Sequence, residues 1–494
     1  MEGFDARDFL YIGPEMFLAA LGLVVLILGS VGKDEERKGR LAVWLSLLGL
    51  VGTAFWVTFL WSSLGGEAKL ILADTFILDG FSFVWKILVL VAIAVTVLLS
   101  QRFVADGGYR PGEYYSLLLF AATGMLFMAS GFSLVTIWIS LELMALSSYI
   151  LAGYFKRELK SNEAALKYFV LGALSSGILL YGASLLYGAT GTVQLAEMAE
   201  AVANSEGSIL LTLGWVMLLA GLLFKIAAVP FHVWTPDVYE GAPTPVTAFL
   251  AVASKTASFA ILVRILYQGL SGLHFFDYAE VVDWQVVIAV VAVATMVWGN
   301  LAALTQRNVK RMLAYSSIAH AGYVLVGVLA ISEVGQWAVV YYLLAYGFVT
   351  LGTFGTVILL ERKEYAGETF EDYSGLAKRS PFLAAMMLIF MLALTGIPPT
   401  GGFFGKFFLF AAAVESGWTK VAVIGVLMSA VSLFYYFRIV VYMYQSSETE
   451  ETPTPLREPA LTGAIVLCCV LTLILGIYPA PFIEFAKIAL LQLP

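Results

Sequence analysis

Long apolar segments dominate this chain, and they constrain its fold more than any other feature. An α-helix needs about 20 mostly apolar residues to cross a bilayer. Fourteen segments of the 494-residue sequence meet this requirement to within a few residues. They are residues 10–31, 41–63, 76–101, 113–129, 131–153, 161–188, 208–230, 244–268, 281–304, 311–331, 334–360, 381–413, 419–445 and 459–480. The sequence therefore predicts an all-α integral membrane protein with about fourteen transmembrane helices.

The composition agrees with this class and argues against several others. Hydrophobic residues make up 60% of the chain and charged residues only 13%, which is unlike a soluble domain of this size. The two cysteines, Cys468 and Cys469, are adjacent, so they make a poor disulfide and a poor metal site. The three histidines leave haem ligation open by number, but they are scattered, and no nucleotide-binding loop is visible. We therefore expect this chain to carry no cofactor of its own.

Lys and Arg residues in the loops indicate the orientation, because cytoplasmic loops carry an excess of them. Of the 28 such residues, 17 fall in the loops after odd-numbered helices and 4 fall on the opposite side. The bias supports the helix count, since one missed helix would mix the two groups. It predicts that both termini lie on the non-cytoplasmic side of the membrane.

Two of the predicted helices are interrupted by proline. Helix 7 contains Lys225 and Pro230, and helix 12 contains Pro398, Pro399 and Lys406. Interrupted helices in corresponding positions of two halves are the best sequence indication of a transport site. The two helices are five apart, and an odd offset gives them opposite topologies. The layout therefore predicts an inverted repeat of helices 4–8 against helices 9–13, with helices 7 and 12 broken.

This layout divides the chain into four parts, although the two halves share negligible sequence identity. The parts are 1–112 with the three N-terminal helices, 113–268 with the first repeat, 281–445 with the second, inverted repeat, and 459–494 with helix 14 and a short tail.

Ionisable side chains inside apolar segments indicate function, because a charge at the centre of a membrane helix costs about 3 kcal/mol. Lys225 and Lys255 lie thirty positions apart, on either side of the break at Pro230. Lys406 follows the break in helix 12. Glu142 is the only carboxylate of helix 5, and it is either a packing residue or a partner that tunes a nearby lysine. Such residues usually face the bundle interior and mark an ion path.

Three further residues have two interpretations each. Lys167 lies seven residues past Lys160 of a basic loop, so it either extends to the membrane surface or joins the path. His232 lies at the break in helix 7, where it is either a relay or a structural cap. His320 lies among small residues, and it is either a packing residue or a proton carrier, since histidine titrates near neutral pH.

Buried Lys, Glu and His residues suit proton transfer better than group transfer. Burial disfavours the charged form of a lysine, so a buried lysine can load and release a proton near neutral pH. We therefore predict that the lysines act as protonation switches, linked through water and polar side chains and biased by Glu142. No ATP site or redox centre is visible in the sequence, so the energy must come from a partner or an ion gradient.

Two motifs carry a resemblance to a known family. They are Pro-Phe-His-Val-Trp-Thr-Pro-Asp-Val-Tyr-Glu-Gly-Ala-Pro at 230–243 and Asn-Val-Lys-Arg-Met-Leu-Ala-Tyr-Ser-Ser-Ile-Ala-His-Ala-Gly-Tyr at 308–323. Both are similar to the antiporter-like membrane subunits of respiratory complex I, and the resemblance covers nearly the whole chain. The first run resembles the subunit N branch in particular, because the related antiporter subunits lack its Val-Tyr-Glu-Gly-Ala-Pro ending.

The resemblance implies roles for the charged residues. Glu142 is similar to the helix 5 glutamate of the family, and Lys167 to a helix 6 lysine. Lys225 and Lys255 are similar to the lysines of helices 7 and 8. Lys406 is similar to the helix 12 lysine near the proton exit.

The resemblance also implies partners. It implies a subunit of the bacterial inner membrane that moves protons beside other antiporter-like and small membrane subunits of complex I. NADH, FMN, the iron–sulfur clusters and quinone would be bound by those partners and not by this chain. Two alternatives stay open at this point. One is a subunit of a multisubunit sodium/proton antiporter without redox coupling. The other is a scaffold, in which the buried charged residues could be replaced without loss of transport.

Overall fold

The computed structural model describes residues 8–31, 34–106, 109–203, 208–270, 283–361, 367–445 and 458–491. Both chain termini and the predicted domain boundary at residue 281 lie outside these ranges. The described residues form a bundle of helices with one small β-hairpin.

The N-terminal part ends in a hairpin and a long helix. It contains α1 (Asp8–Tyr11), α2 (Gly13–Leu28), α3 (Glu35–Ser63), β1 (Lys69–Ile71), β2 (Phe76–Leu78) and α4 (Gly80–Asp106). The prediction that helix 3 begins at residue 76 is wrong, because residues 76–78 pair with β1 in an antiparallel register. The helix begins after a cap in which the backbone N–H of Ser82 donates to Asp79 Oδ1 at 2.7 Å.

The remaining elements follow in chain order. Residues 111–270 contain α5 (Pro111–Ser130), α6 (Leu134–Ala152), α7 (Leu159–Thr190), α8 (Leu195–Ala203), α9 (Ile209–Lys225), α10 (Trp234–Gly241), α11 (Thr244–Phe249) and α12 (Lys255–Arg264). Residues 283–445 contain α13 (Asp283–Leu304), α14 (Val309–Leu329), α15 (Glu333–Leu360), a 3₁₀ turn (Glu371–Tyr373), α16 (Leu376–Arg379), α17 (Pro381–Thr395), α18 (Gly401–Glu415) and α19 (Thr419–Tyr444). The chain continues with α20 (Pro459–Ile477) and α21 (Ala480–Lys487).

Each of the fourteen predicted segments contains a helix. In the described part of the chain, eleven helical stretches are long and apolar enough to cross a membrane. Three apolar helices, α2, α9 and α17, are shorter, with 16, 17 and 15 residues. The prediction of a mainly helical integral membrane protein is confirmed at this level.

Non-helical backbone follows α9 and separates α17 from α18. α9 ends at Lys225 and α10 begins at Trp234, and Ala227 between them has a φ of 61°. The freed backbone N–H of Val229 donates to Thr295 Oγ1 of α13 at 3.0 Å. α17 ends at Thr395 and α18 begins at Gly401. Irregular backbone at membrane depth is tolerated where protein groups satisfy it, and the Val229–Thr295 hydrogen bond is such a case.

Two π-helical turns, which the sequence did not predict, interrupt the regular helix around Lys255. They span Leu250–Ser254 and Ile265–Gly269, so they lie directly before and after α12. A π-turn adds a residue to one helical turn and often occurs at functional sites. Lys255 and Arg264 are thus the first and last residues of a short regular helix between two irregular turns.

The core of the bundle lies where the predicted repeats meet. The helical stretch Thr244–Gly269 is buried throughout, and α14 and α15 are nearly so. By contrast, α3, α7 and α19 expose most of their apolar surface. A helix that is apolar on every side belongs in the core of a large or membrane-embedded protein. Lys255 and Arg264, which lie in the central stretch, are therefore buried in this core.

Candidate functional site

Lys225 is buried at the C-terminal end of α9, where the helix gives way to irregular backbone. Its ammonium donates to the hydroxyl of Tyr149 on α6 at 3.3 Å and lies 5.5 Å from the centroid of that ring. A cation near an aromatic face gains electrostatic stabilisation, and more so when desolvated. Tyr149 is therefore the immediate partner of Lys225.

Glu142 lies on α6, two turns before Tyr149. The hydroxyl of Ser176 on α7 donates to Glu142 Oε1, and Trp138 Nε1 donates to Ser176 Oγ at 3.0 Å. Within the described residues, the close partner of Glu142 is thus a hydroxyl and not the ammonium of Lys225. Glu142 and Lys225 are near enough to interact electrostatically through space. Tyr149, the hydrogen-bond partner of Lys225, lies on the same helix as Glu142.

Lys255 is buried on α12 and reaches α14. Its ammonium donates to Ser317 Oγ at 2.6 Å and to the Ser317 carbonyl oxygen at 2.7 Å. The hydroxyl of Tyr346 on α15 donates to the same Ser317 Oγ at 3.0 Å. Hydrogen bonds to a charged group are stronger than neutral ones, so Ser317 holds Lys255 across the two predicted repeats.

His320 lies one turn after Ser317 on α14, and both of its ring nitrogens have tyrosine partners. Nδ1 is hydrogen-bonded to the hydroxyl of Tyr342, and Nε2 to the hydroxyl of Tyr436 at 2.9 Å. The Tyr346 ring lies 5.0 Å from the His320 ring, centroid to centroid. Since a neutral imidazole has one donor and one acceptor nitrogen, His320 can receive a proton on one side and give one on the other.

Lys406 is buried on α18, just after the interruption at 396–400. Its ammonium donates to the carbonyl oxygens of Leu394 and Thr395 at 2.9 and 3.0 Å and to Ser429 Oγ at 2.7 Å. These carbonyls are left free by the end of α17, and lysine commonly satisfies such groups. The ammonium also lies 4.7 Å from the ring centroid of Tyr323.

A series of buried groups linked by hydrogen bonds and by aromatic ring contacts connects Lys255 with Lys406, and we call it the polar array. Its members are Lys255, Ser317, Tyr346, His320, Tyr342, Tyr436, Tyr323 and Lys406. Tyr323 completes the series, because its ring centroid lies 5.5 Å from that of His320 and 4.7 Å from the Lys406 ammonium. Buried polar groups linked in this way polarise one another, and hydroxyl and imidazole groups can relay protons.

An aromatic contact extends the series from Lys255 towards Lys225. The rings of Tyr149 and Tyr168 meet edge-on at 4.7 Å. Tyr168 in turn lies beside Ser254, the residue before Lys255. Tyr149 and Tyr168 thus bridge the space between the two lysines.

Lys167 and His232 lie apart from both the polar array and the contacts of Glu142 and Lys225. Lys167 is 40% exposed and pairs with Glu163 and Asp237, each at 2.6 Å, which agrees with the interpretation that it extends to the surface. His232 is buried beside the ring of Trp298 at 6.0 Å, and its carbonyl oxygen accepts the backbone N–H of Thr235 at 2.9 Å. The contacts of His232 are therefore those of a residue that shapes the turn.

Comparison with known proteins identifies the family. Residues 131–432 match the family described as NADH:quinone oxidoreductase/Mrp antiporter, TM. NADH-quinone oxidoreductase subunit N of Trichlorobacter lovleyi is 43% identical over 478 residues, which are 96% of each chain. This chain belongs to the subunit N family of NADH-quinone oxidoreductases.

Solved structures agree with membership in the subunit N family. A chain of respiratory complex I from Thermus thermophilus with bound Aureothin has a TM-score of 0.79 and 35% identity, covering 96% of this chain and 99% of that one. A chain of the Mrp complex from a Dietzia species has a TM-score of 0.78 and 25% identity, covering 98% and 97%. The antiporter-like fold is therefore shared with both kinds of complex.

The Val-Tyr-Glu-Gly-Ala-Pro motif at 238–243, which distinguished the subunit N family in the sequence, joins an ion-pair network through Glu240, together with the preceding Asp237. Arg311 at the start of α14 pairs with Asp237 at 2.7 Å and with Glu240 at 3.0 Å. Burial raises the pKa of Asp237, but hydrogen bonds from Lys167 and Arg311 outweigh it and hold that pKa below its usual range. Lys160 adds pairs to Glu240 and Glu368, each at 3.5 Å. The motif thus joins the first predicted repeat to the second.

Sequence reasoning in this subunit N chain missed the neutral members of the site. The tyrosines and serines that separate the lysines carry no formal charge, and the chain has 24 tyrosines. A usable signal was the position of hydroxyl residues in the middle of apolar segments, as in Tyr342 and Tyr346 within α15. Asn300 is a further example, because it donates to the Tyr323 hydroxyl at 3.0 Å and accepts from Tyr435 at 3.0 Å.

The described residues contain no cluster of side chains that suits a metal ion. No group of three or more His, Cys, Asp or Glu side chains there is arranged to hold a metal ion. Cys468 and Cys469 are both buried in α20. What the arrangement provides instead is a buried row of basic and hydroxyl groups, which suits proton transfer.

Proposed function

We propose that this chain is the subunit N of a bacterial NADH-quinone oxidoreductase and translocates protons through its buried lysines. The observation that carries the proposal is the polar array, in which Lys255 and Lys406 are joined through Ser317, His320 and four tyrosines in the buried centre of the bundle. Charged groups at such depth are costly, and a series of them linked by hydrogen bonds and aromatic contacts fits a proton path.

Within this proposal the residues have distinct roles. Lys225 and Lys255 are the protonation switches of the first half, and Glu142 biases Lys225 electrostatically. His320 passes the proton between the hydroxyls of its tyrosine partners. Lys406 releases it beside the interruption at 396–400. Lys167 collects protons near the surface, and His232 shapes the break.

The proposed architecture places these groups in an inverted repeat. Residues 113–268 and 281–445 form the two repeats, with 1–112 and 459–494 outside them. The interruptions after Lys225 and after Thr395 support this assignment, because each lies beside a buried lysine. If α2, α9 and the α17–α18 pair also cross the bilayer, the count is fourteen, and both termini lie on the non-cytoplasmic side.

The energy for transport comes from partner subunits in the bacterial inner membrane. NADH, FMN, the iron–sulfur clusters and quinone are held elsewhere in the complex. This chain contacts neighbouring antiporter-like and small membrane subunits. The identity of the relatives, which are named as NADH-quinone oxidoreductase subunits, supports this assignment.

Substitution of Lys225 tests the proposal in native membranes. Lys225→Ala removes a buried proton carrier, so proton uptake into inverted vesicles should fall by about tenfold, which corresponds to about 1.4 kcal/mol at the barrier. Lys420→Ala, at an exposed lysine of α19, is the matched control and should pump normally. NADH:quinone turnover and assembly are measured in parallel. Normal pumping by an assembled Lys225→Ala complex would remove Lys225 from the path.

A second candidate function is a sodium/proton antiporter subunit without redox coupling. The similarity to the Mrp complex chain supports it, but at 25% identity, against 43% for the subunit N relative. The two functions differ in their energy source. Proton movement that needs a sodium gradient and ignores NADH would select the antiporter.

A further inference from the structure

A second set of buried charges lies outside the polar array, among the N-terminal helices. Glu15 near the start of α2 and Lys86 in α4 form an ion pair of 2.6 Å, with side-chain exposures of 1% and 3%. Neither Glu15 oxygen accepts a geometrically good hydrogen bond within the described residues. The carboxylate therefore has unused acceptor capacity although it is fully buried.

Stability alone gives a weak reason for this pair. Desolvation of two charges offsets most of their attraction, and apolar residues of similar volume often replace a buried ion pair without loss. Apolar side chains at these two positions could pack between α2 and α4. Buried ionisable groups in membrane proteins are by default functional.

A cavity reaches Lys86 from the side of the hairpin. Lys86, Asp79 and Ser82 of the α4 segment supply its polar lining, and Trp61, Leu64, Phe83, Pro14, Val57, Leu60 and Leu78 supply the apolar part. Its volume is about 20 Å³ measured to the centres of water-sized spheres, and one water molecule needs about 10–15 Å³ by that measure. The cavity is large enough for one water molecule, and its three polar lining residues can hydrogen-bond to that water beside the ammonium.

Asp79 connects this cavity to the helix that carries Lys255. Arg264 donates to both oxygens of Asp79, at 2.9 and 3.0 Å, and to the Ala129 carbonyl oxygen at 3.0 Å. Arg264 is the last residue of α12 and Lys255 is the first. At 1.5 Å per residue the two lie about 14 Å apart along one rigid helix. A change of charge beside Asp79 can thus bias the position of Lys255.

We propose that Glu15 and Lys86 form a proton-exchange site, which water reaches through the cavity and which communicates with the polar array through Asp79, Arg264 and α12. Because Lys86 lines the cavity and lies 2.6 Å from Glu15, its ammonium passes a proton to the Glu15 carboxylate and takes another from cavity water, and the neutral pair becomes a carboxylic acid beside an ammonium. The net charge rises by one, and release of the proton to water restores the ion pair. Asp79 and Lys86 are the ionisable residues lining the cavity, and Arg264 faces Asp79 from α12. The inference rests on the proposed function, since it adds a site to the same proton path.

Water access is tested with single cysteines in the assembled complex. Ser82→Cys places a thiol in the cavity lining, and Val84→Cys places one at an equally buried position of α4 that is not part of the lining. A membrane-impermeant thiol reagent reacts with a hydrated thiolate, so Ser82→Cys should be modified at least about tenfold faster. Equal, slow modification of both would overturn the proposal.

Coupling is tested by removing the charges together. Glu15→Gln with Lys86→Met leaves no unpaired charge, so packing is kept, and the ratio of protons taken up to NADH oxidised should fall by about twofold or more. If this double variant does not assemble, Leu60→Phe, which narrows the cavity and keeps both charges, should lower the same ratio. If an assembled variant keeps the normal ratio of protons to NADH while Lys225→Ala is still defective in proton uptake, the proposed exchange site is wrong and the proposed function stands. A normal ratio in Lys225→Ala as well would contradict both.

Discussion

The ammonium of Lys255 lies 2.6 Å from the hydroxyl of Ser317, across the boundary between α12 and α14. The same hydroxyl accepts a hydrogen bond from the Tyr346 hydroxyl, so one serine joins three helices. A lysine held by a hydroxyl, with no carboxylate among its hydrogen-bond partners, can lose its proton without leaving an unpaired anion. This is the property that a proton relay requires.

Ser317→Ala should slow proton transfer while the complex still assembles. The substitution removes one of two hydrogen bonds to Lys255, and a hydrogen bond to a charged group contributes about 1.5–3 kcal/mol. Proton uptake by inverted vesicles should therefore fall by about tenfold.

The matched control is Ser258→Ala on α12. Its hydroxyl donates only to the Ser254 carbonyl of its own helix, at 2.8 Å, so uptake should stay near normal. Equal losses in Ser317→Ala and Ser258→Ala would mean that any buried serine matters here, and the special role of Ser317 would be lost.

Gly172→Ala should separate Tyr149 from Lys225. A Cβ at Gly172 on α7 would lie 2.1 Å from the Tyr149 hydroxyl oxygen, so the ring must move, and such overpacking costs about 1–3 kcal/mol. Because that hydroxyl is the partner of Lys225, we expect proton uptake to drop by about fivefold or more.

Gly177→Ala on the same helix is the control, since no atom lies within 4 Å of its Cβ position. Alanine there gains up to about 1 kcal/mol of helix propensity, and transport should be unchanged. Normal transport in both variants would show that Tyr149 is dispensable for Lys225.

The charged residues of the site could be predicted from the sequence, because Lys225, Lys255 and Lys406 contrast with their apolar surroundings. Their neutral partners could not, since which tyrosine or serine meets a given lysine depends on how each helix is rotated. That rotation follows from packing, and the π-turns beside α12 shift it further. Lys167 shows the opposite limit of sequence reasoning. Its contrast with apolar neighbours marked it as a candidate site residue, but it lies at the surface in ion pairs.

Asp237 should stabilise the protein equally across the neutral pH range. Its pKa is held below the usual value by Lys167 and Arg311. A carboxylate with a depressed folded-state pKa contributes stability that is present above its unfolded pKa of about 3.9 and is lost as the pH falls through the folded value. Asp237→Asn should therefore lower the Tm of the purified complex by a constant amount from pH 5 to pH 8, with the gap closing only below about pH 4.

Glu163→Gln is the comparison for that measurement. Glu163 is 57% exposed, and its ion pair among the described residues is with Lys167. An exposed pair contributes about 0–1 kcal/mol, so the effect of Glu163→Gln on Tm should be small. A gap for Asp237→Asn that changes between pH 6 and pH 7 would contradict the depressed pKa.

Gly396 is predicted to set the position of Lys406. Gly396 has a φ of 89°, and a Cβ there would lie 3.1 Å from Lys406 Cδ. Gly396→Ala therefore combines a backbone penalty of about 1–2 kcal/mol with a displacement of the lysine from the carbonyls of Leu394 and Thr395. Gly417→Ala isolates the first effect, the backbone penalty, because Gly417 has a similar φ of 84° and no atom within 4 Å of its Cβ position. Both variants should lower the Tm, but only Gly396→Ala should reduce proton uptake, by about tenfold. The comparison is made on assembled complex in inverted vesicles. Equal proton uptake in the two variants would show that backbone strain, and not the position of Lys406, limits transport at this end of the polar array.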